Sequence, residues 1–219
     1  MSLLPCIEVE PSSPANATVI WLHGLGADGH DFEPIVPELN LPADLPIRFI
    51  FPHAPSIPVT INNGYVMPAW YDVLEMSIER EVDEVQLKAS ASAITAFIDR
   101  EISRGIDSRR IIIAGFSQGG AVAYQTALTY PKPLAGLLGL STYFATKDTI
   151  APSPENKAIP IQIYHGSKDN VVPEILGQQS YEKFQSMGYA VKYATYPIEH
   201  SVCLEEIDEI SQWFQTILK

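Results

Sequence analysis

The residues best suited to chemistry lie in Gly115-Phe116-Ser117-Gln118-Gly119-Gly120. The spacing Gly-x-Ser-x-Gly, directly after the β-branched run Ile111-Ile112-Ile113-Ala114, fits a sharp turn from a strand into a helix. Glycines two before and two after the serine remove side chains that would clash in such a turn. The turn leaves the Ser117 hydroxyl clear of the sheet, and the helix N-terminus behind it favours negative charge developing nearby. The alternative is a glycine-rich turn that carries a solvated serine.

A serine hydroxyl becomes a nucleophile only with a base, and five histidines are available: His23, His30, His53, His165 and His200. At an elbow of this kind the partners follow in the chain order Ser, acid, His. Only His200 lies late enough, after the strand-like run Val191–Tyr196. The acid should follow a strand between Ser117 and His200. Asp169 does so in His165-Gly166-Ser167-Lys168-Asp169, and Asp148 is its rival. Such a set performs acyl transfer. His200 takes the proton of Ser117 as it attacks a carbonyl, and Asp169 orients the imidazole. The oxyanion needs fixed donors, expected from the backbone N–H of Gln118 and, in the loop His23-Gly24-Leu25-Gly26, from Leu25.

These residues need a scaffold that brings strand ends together. Short apolar runs at Ala17–Leu22, Ile47–Phe51, Ile111–Ala114, Leu134–Leu140, Ile161–Tyr164 and Val191–Tyr196 read as strands. Between them lie helical patterns at Val82–Arg104, from Ser117 to about Tyr130, at Pro173–Met187 and at Leu204–Leu218. The alternation predicts an α/β domain over residues 1–219, a mostly parallel central sheet with helices on both faces. Right-handed crossovers gather the strands' C-terminal ends on one edge, where ligands bind. The stretch Pro52–Glu81 fits neither period. Its Val66, Met67, Trp70 and Tyr71 either line an apolar groove beside Ser117 or anchor a packed surface excursion.

Other chemistries fit less well. Gly24-x-Gly26-x-x-Gly29 satisfies a dinucleotide fingerprint, but the next strand ends in Phe51-Pro52-His53 rather than in an acid that could hold a ribose. No metal-ligand spacing is present, so neither metal nor cofactor is expected. The net charge of −12, with 14 Lys+Arg, argues against nucleic acid and against tight binding to anionic lipid. No apolar run approaches the ~20 residues of a membrane span, and no secretory signal is visible. Cys6 and Cys203 read as two free thiols in a reducing compartment, so a cytoplasmic location is expected.

The chain also resembles a known family, the acyl-protein thioesterases, carboxylesterases and lysophospholipases among the small α/β-hydrolases. The likeness rests on Trp21-Leu22-His23-Gly24-Leu25-Gly26, Phe51-Pro52-His53-Ala54-Pro55, Ala69-Trp70-Tyr71-Asp72, the Ser117 turn, His165-Gly166-Ser167-Lys168-Asp169 with Val172-Pro173, and Tyr196-Pro197 before His200-Ser201. Ile198 departs from the pattern, where methionine is expected. The resemblance implies the α/β-hydrolase fold, the triad Ser117, Asp169 and His200, and an oxyanion hole from Leu25 and Gln118. It implies an acyl groove lined by the Trp70 segment, with Met67, Tyr71 and Val172 as further contacts. The expected substrates are small acyl esters or acylated proteins, and a homodimer is possible. Hydrolysis of a peptide or lactone and a catalytically silent binding module are the alternatives.

Overall fold

The computed structural model describes residues 3–77 and 80–219. In chain order its strands are β1 (Cys6–Val9), β2 (Ala17–Leu22), β3 (Ile47–Pro52), β4 (Ser56–Val59), β5 (Tyr65–Pro68), β6 (Ile111–Phe116), β7 (Gly136–Leu140), β8 (Ile161–Gly166) and β9 (Val191–Tyr196). Its helices are α1 (Ile35–Glu38), α2 (Glu84–Ser103), α3 (Gln118–Thr129), α4 (Glu174–Ser186) and α5 (Leu204–Ile217). Seven strands form one sheet in the order β1-β3-β2-β6-β7-β8-β9. All neighbours are parallel except β1, which runs antiparallel to β3 at the edge. This is the α/β-hydrolase arrangement that the sequence implied.

The central strands are buried on both faces, which is why they read as unbroken apolar runs rather than as alternating ones. Along β2, Ile20 and Leu22 enter one core while Val19 and Trp21 enter the other. Along β6, Ile111 and Ile113 face the first core, and Ile112, Ala114 and Phe116 the second. The first core packs against α2, α3 and α4 through residues such as Leu87, Ile94, Val122 and Phe184. The second packs against α1 and α5 through Ile35, Ile210 and Phe214. Each fully buried side chain of this size contributes ~1.5–3 kcal/mol by leaving water.

Two features of the fold were not anticipated. The short edge strand β1 has only four residues, and Glu8 breaks its apolar character. The hairpin β4–β5 lies inside Pro52–Glu81, pairing Ser56 to Val59 with Pro68 to Tyr65. Residues 78–79 of that stretch lie outside the described residues.

Edge strand β1 is held by charge. Glu8 meets Arg100 at 2.7 Å and Arg104 at 2.8 Å, and Glu10 meets Arg48 at 2.7 Å. At the centre lies Glu101, buried in α2. It accepts from the Thr18 hydroxyl at 2.9 Å, from Arg48 at 2.5 Å and from Arg104 at 3.1 Å. The cluster joins β1, β2, β3 and α2 at the edge of the sheet opposite Ser117. Removing one member of a buried charge cluster strands the others, at a typical cost of ~3–5 kcal/mol. Glu101→Ala should therefore lower unfolding free energy by about 3 kcal/mol in urea titration, while activity per folded molecule is retained.

Candidate active site

Ser117 lies at the C-terminal end of β6, with φ +53° and ψ −121°. A side-chain-bearing residue keeps this backbone only where its surroundings impose it. The packing explains both flanking glycines. A methyl on Gly115 would come 2.4 Å from the Gly119 carbonyl oxygen, and one on Gly119 would come 2.5 Å from those of Leu22 and His23. The Ser117 N–H donates to Leu140 O at 2.9 Å, and the Thr142 hydroxyl donates to Ser117 O at 2.6 Å. The turn is therefore fastened to β2 on one side and to β7 on the other.

Asp169 and His200 are brought together from the loops after β8 and β9. Asp169 Oδ2 accepts from His200 Nδ1 at 2.6 Å, which leaves Nε2 as the free acceptor of the ring. The other carboxylate oxygen accepts from the N–H groups of Val171 (2.9 Å) and Val172 (2.8 Å). Burial alone would raise the Asp169 pKa. The bond from His200 and the backbone donors outweigh it and hold the carboxyl below its usual range. The two loops are also sewn to each other. Ser167 and Lys168 donate their N–H groups to Tyr196 O and Ile198 O, at 2.7 and 3.0 Å. Ile198 thus contributes a backbone carbonyl to this seam. Phe116, next to Ser117, packs its ring 4.6 Å from the imidazole of His200, which sets that ring beside the turn. The rival acid, Asp148, is 73% exposed and pairs with Lys183 at 3.1 Å.

The loop after β2 reaches the same point. A methyl on Gly24 would lie 3.5 Å from Ser117 Cβ, so Leu25 follows a residue packed against Ser117. His23 is buried and braces this loop. Its Nε2 accepts from Ala54 N–H at 3.1 Å, so its Nδ1 carries the hydrogen and donates to Gly24 O at 2.7 Å. Burial lowers its pKa and keeps it neutral. His165 is braced similarly, with Nε2 donating to Val172 O at 2.8 Å. The glycines of the dinucleotide-like motif are occupied by the chain itself. Gly26 N–H donates to Pro68 O, Gly29 N–H donates to His53 Nδ1, and a methyl on Gly29 would strike Phe51 O at 2.5 Å. No cradle for a pyrophosphate remains there. Among the described residues, no group of three or more His, Cys, Asp or Glu side chains is arranged to hold a metal ion.

The groove expectation needs correction. Trp70 is 1% exposed, and Tyr71 and Val172 are 0% exposed, so none offers surface to a ligand in this structure. Each is drawn inward by its polar handle or by packing. The Trp70 indole donates to His23 O at 2.9 Å, and the Tyr71 hydroxyl meets that of Tyr143 at 2.7 Å. Val172 belongs to the first core. Met67 is half-buried beside the Gly26 loop, and Val66 is exposed. Reading the sequence alone missed the side chain of Gln118. Its Oε1 accepts from Trp70 N–H at 2.8 Å and its Nε2 donates to Tyr71 O at 2.7 Å, both buried. Ser90 adds a hydroxyl bond to Trp70 O. A glutamine directly after Ser117, where only its backbone N–H was expected to matter, was the available signal.

The fold and this cluster define an α/β-hydrolase with an elbow serine. The sequence profile of the phospholipase/carboxylesterase family matches residues 5–218, and the chain belongs to that family. It is 42% identical to the acyl-protein thioesterase 1 of Neurospora crassa over 208 residues, covering 90% of this chain and 85% of that protein. It superposes on Arabidopsis thaliana SOBER1 with TM-score 0.87 at 33% identity, covering 94% of this chain and all of the other. On Zea mays acyl-protein thioesterase 2 the TM-score is 0.85 at 30% identity, with 99% and 100% covered. These likenesses agree with the resemblance read from the motifs. The chain is an enzyme of the esterase and thioesterase class.

Two predictions follow from the supports of the site. Gln118→Ala leaves the Trp70 N–H and the Tyr71 carbonyl buried without partners, at ~1–3 kcal/mol each. Its unfolding midpoint in urea should fall by an amount equivalent to about 2–4 kcal/mol. The second concerns Glu206, buried in the first turn of α5 just beyond the His200 loop. Burial pushes its carboxyl up to about 8, against the Cys203 N–H bond, and one oxygen has no partner. Between its ordinary value of 4.5 and about 8, the folded chain keeps a proton that the unfolded chain has released. Stability contributed by this group is thus present below that window and lost as pH rises through it. Relative to Glu206→Gln, the wild type should lose up to about 1.4 kcal/mol per pH unit across the window, measured by chemical denaturation at several pH values.

Proposed function

We propose that Ser117, His200 and Asp169 act as a catalytic triad that hydrolyses acyl thioesters and esters through an acyl-enzyme. The observation that carries this reading is the 2.6 Å Asp169–His200 bond beside a serine held at φ +53°. His200 Nε2 takes the Ser117 proton as Oγ bonds to the acyl carbon. The imidazolium then gives that proton to the departing sulfur or oxygen as its bond to the acyl carbon breaks. Water repeats the sequence, attacking the acyl-enzyme as His200 accepts its proton, and Ser117 is regenerated. The buried Asp169 carboxylate stabilises the imidazolium and fixes its tautomer. The backbone N–H groups of Leu25 and Gln118 receive the oxyanion, each contributing ~3 kcal/mol at the transition state. The acyl chain leaves the site past Met67 and Val66, the two groove candidates that retain accessible surface.

The acyl-protein thioesterase names of the relatives support an acylated cysteine as the natural substrate. The free thiols Cys6 and Cys203 suit a reducing cytoplasm. Among the described residues no helix is long and apolar enough to cross a membrane, which suits a substrate approached from water.

A fluorophosphonate probe tests the nucleophile. Intact-mass analysis should show one adduct, at Ser117, absent in Ser117→Ala. Asp169→Asn should lose on the order of 10⁴ in kcat, and Asp148→Asn should stay near wild type. An adduct at another serine, or the reverse ranking of the two acids, would overturn the assignment.

A further inference from the structure

A cavity of about 370 Å³ opens beside His200 on the α1/α5 face of the sheet. Phe32, Ile35, Phe116, Val202 and Ile207 give it apolar walls, and His200 lines it too. Asp31 and Glu38 line it as well, and both are exposed. No lysine or arginine lines the cavity. Among the described residues neither acid is in an ion pair, while the neighbouring Glu33 is taken by His30 at 3.0 Å.

The reaction geometry says which part of a substrate reaches this cavity. The carbonyl oxygen is held by the N–H groups at 25 and 118, and the leaving atom must face His200 to be protonated. Gln118 carries the Trp70 segment on the α2/α3 face, and Met67 lies on that segment beyond the Gly26 loop. The side chain of Phe116 points into the opposite core and forms a wall of the cavity. Acyl chain and leaving group therefore part to opposite sides of the sheet edge.

We propose that this cavity is the leaving-group subsite and that Asp31 and Glu38 select leaving groups bearing positive charge, namely cysteine peptides flanked by lysine or arginine. The proposal rests on the triad reading above. The apolar walls suit the aliphatic stems of those residues, whose charged ends extend to the rim. The two acids, on a chain of net charge −12, give the matching sign. A glycerophosphocholine leaving group fits less well, because its phosphate lies nearer the ester than its ammonium and meets the carboxylates first.

Octanoyl-cysteine pentapeptides that differ only in flanking lysine, serine or glutamate provide the test, with octanoyl-glycerophosphocholine beside them. At low ionic strength kcat/KM for the lysine peptide should exceed that for the glutamate peptide by roughly three- to tenfold. The ratio should shrink as salt is added, and it should approach one in the Asp31→Asn/Glu38→Gln double variant. Both acids are exposed, so the variant should fold, and the salt dependence of the wild type is an independent readout. Equal rates on the lysine and glutamate peptides by an active enzyme overturn the subsite alone. So does a preference that survives the double variant, or faster turnover of the phosphocholine ester that depends on the two acids. Failure to cleave any of these substrates overturns the triad reading and the subsite together.

Discussion

The left-handed backbone of Ser117 is the constraint around which the site is arranged. It survives because the ends of two neighbouring strands close on it: carbonyls at the end of β2 press against Gly119, β7 accepts the Ser117 N–H, and Thr142, just past β7, holds its carbonyl. A Cβ at 115 or 119 would push backbone against backbone, where no side-chain rotation relieves the contact. The strain stored at the serine is thus balanced by close packing, and that packing puts the start of α3 directly behind the hydroxyl.

From that point the site is built outward by polar ties between loops. The loops that carry Asp169 and His200 share backbone hydrogen bonds through Tyr196 and Ile198, which tie the two loops together. Gly166 belongs to the same seam, since a methyl there would come 2.3 Å from Glu199 O. Asp169 remains charged despite burial because three donors converge on its two oxygens. His23 and His165 are used differently. Each is buried, held neutral, and spent on fixing a loop carbonyl.

The stretch between β3 and α2 shows the limit of reasoning from residue type. Trp70 and Tyr71 have large apolar surfaces, and a position near Ser117 made them natural groove residues. Each also carries a polar tip, and a buried acceptor exists for it, so both turn inward and hold the segment down. The exposed apolar surface falls to Val66 on the hairpin, whose pairing was hidden because Pro58 and Pro68 interrupt its strand-like runs.

The sequence by itself determined the layered α/β arrangement, because strands buried on both faces must be continuous apolar runs and their helices must be amphipathic. It pointed to the elbow, since Gly115 and Gly119 flank Ser117 at a two-residue spacing directly after an apolar run, and it selected His200 by chain order. It ranked Asp169 over Asp148 by its place at a strand end, and the fold put Asp169 against the imidazole and Asp148 in solvent. Only the tertiary structure decided which aromatics face water, what the Gln118 side chain does, and that a cavity with an acidic rim opens behind His200. Those outcomes depend on contacts between segments far apart in the chain, such as Gln118 with Trp70 or Phe32 with Phe116. A local pattern carries the period of an element and the chemistry of a residue, but not the identity of the neighbour that folding places against it.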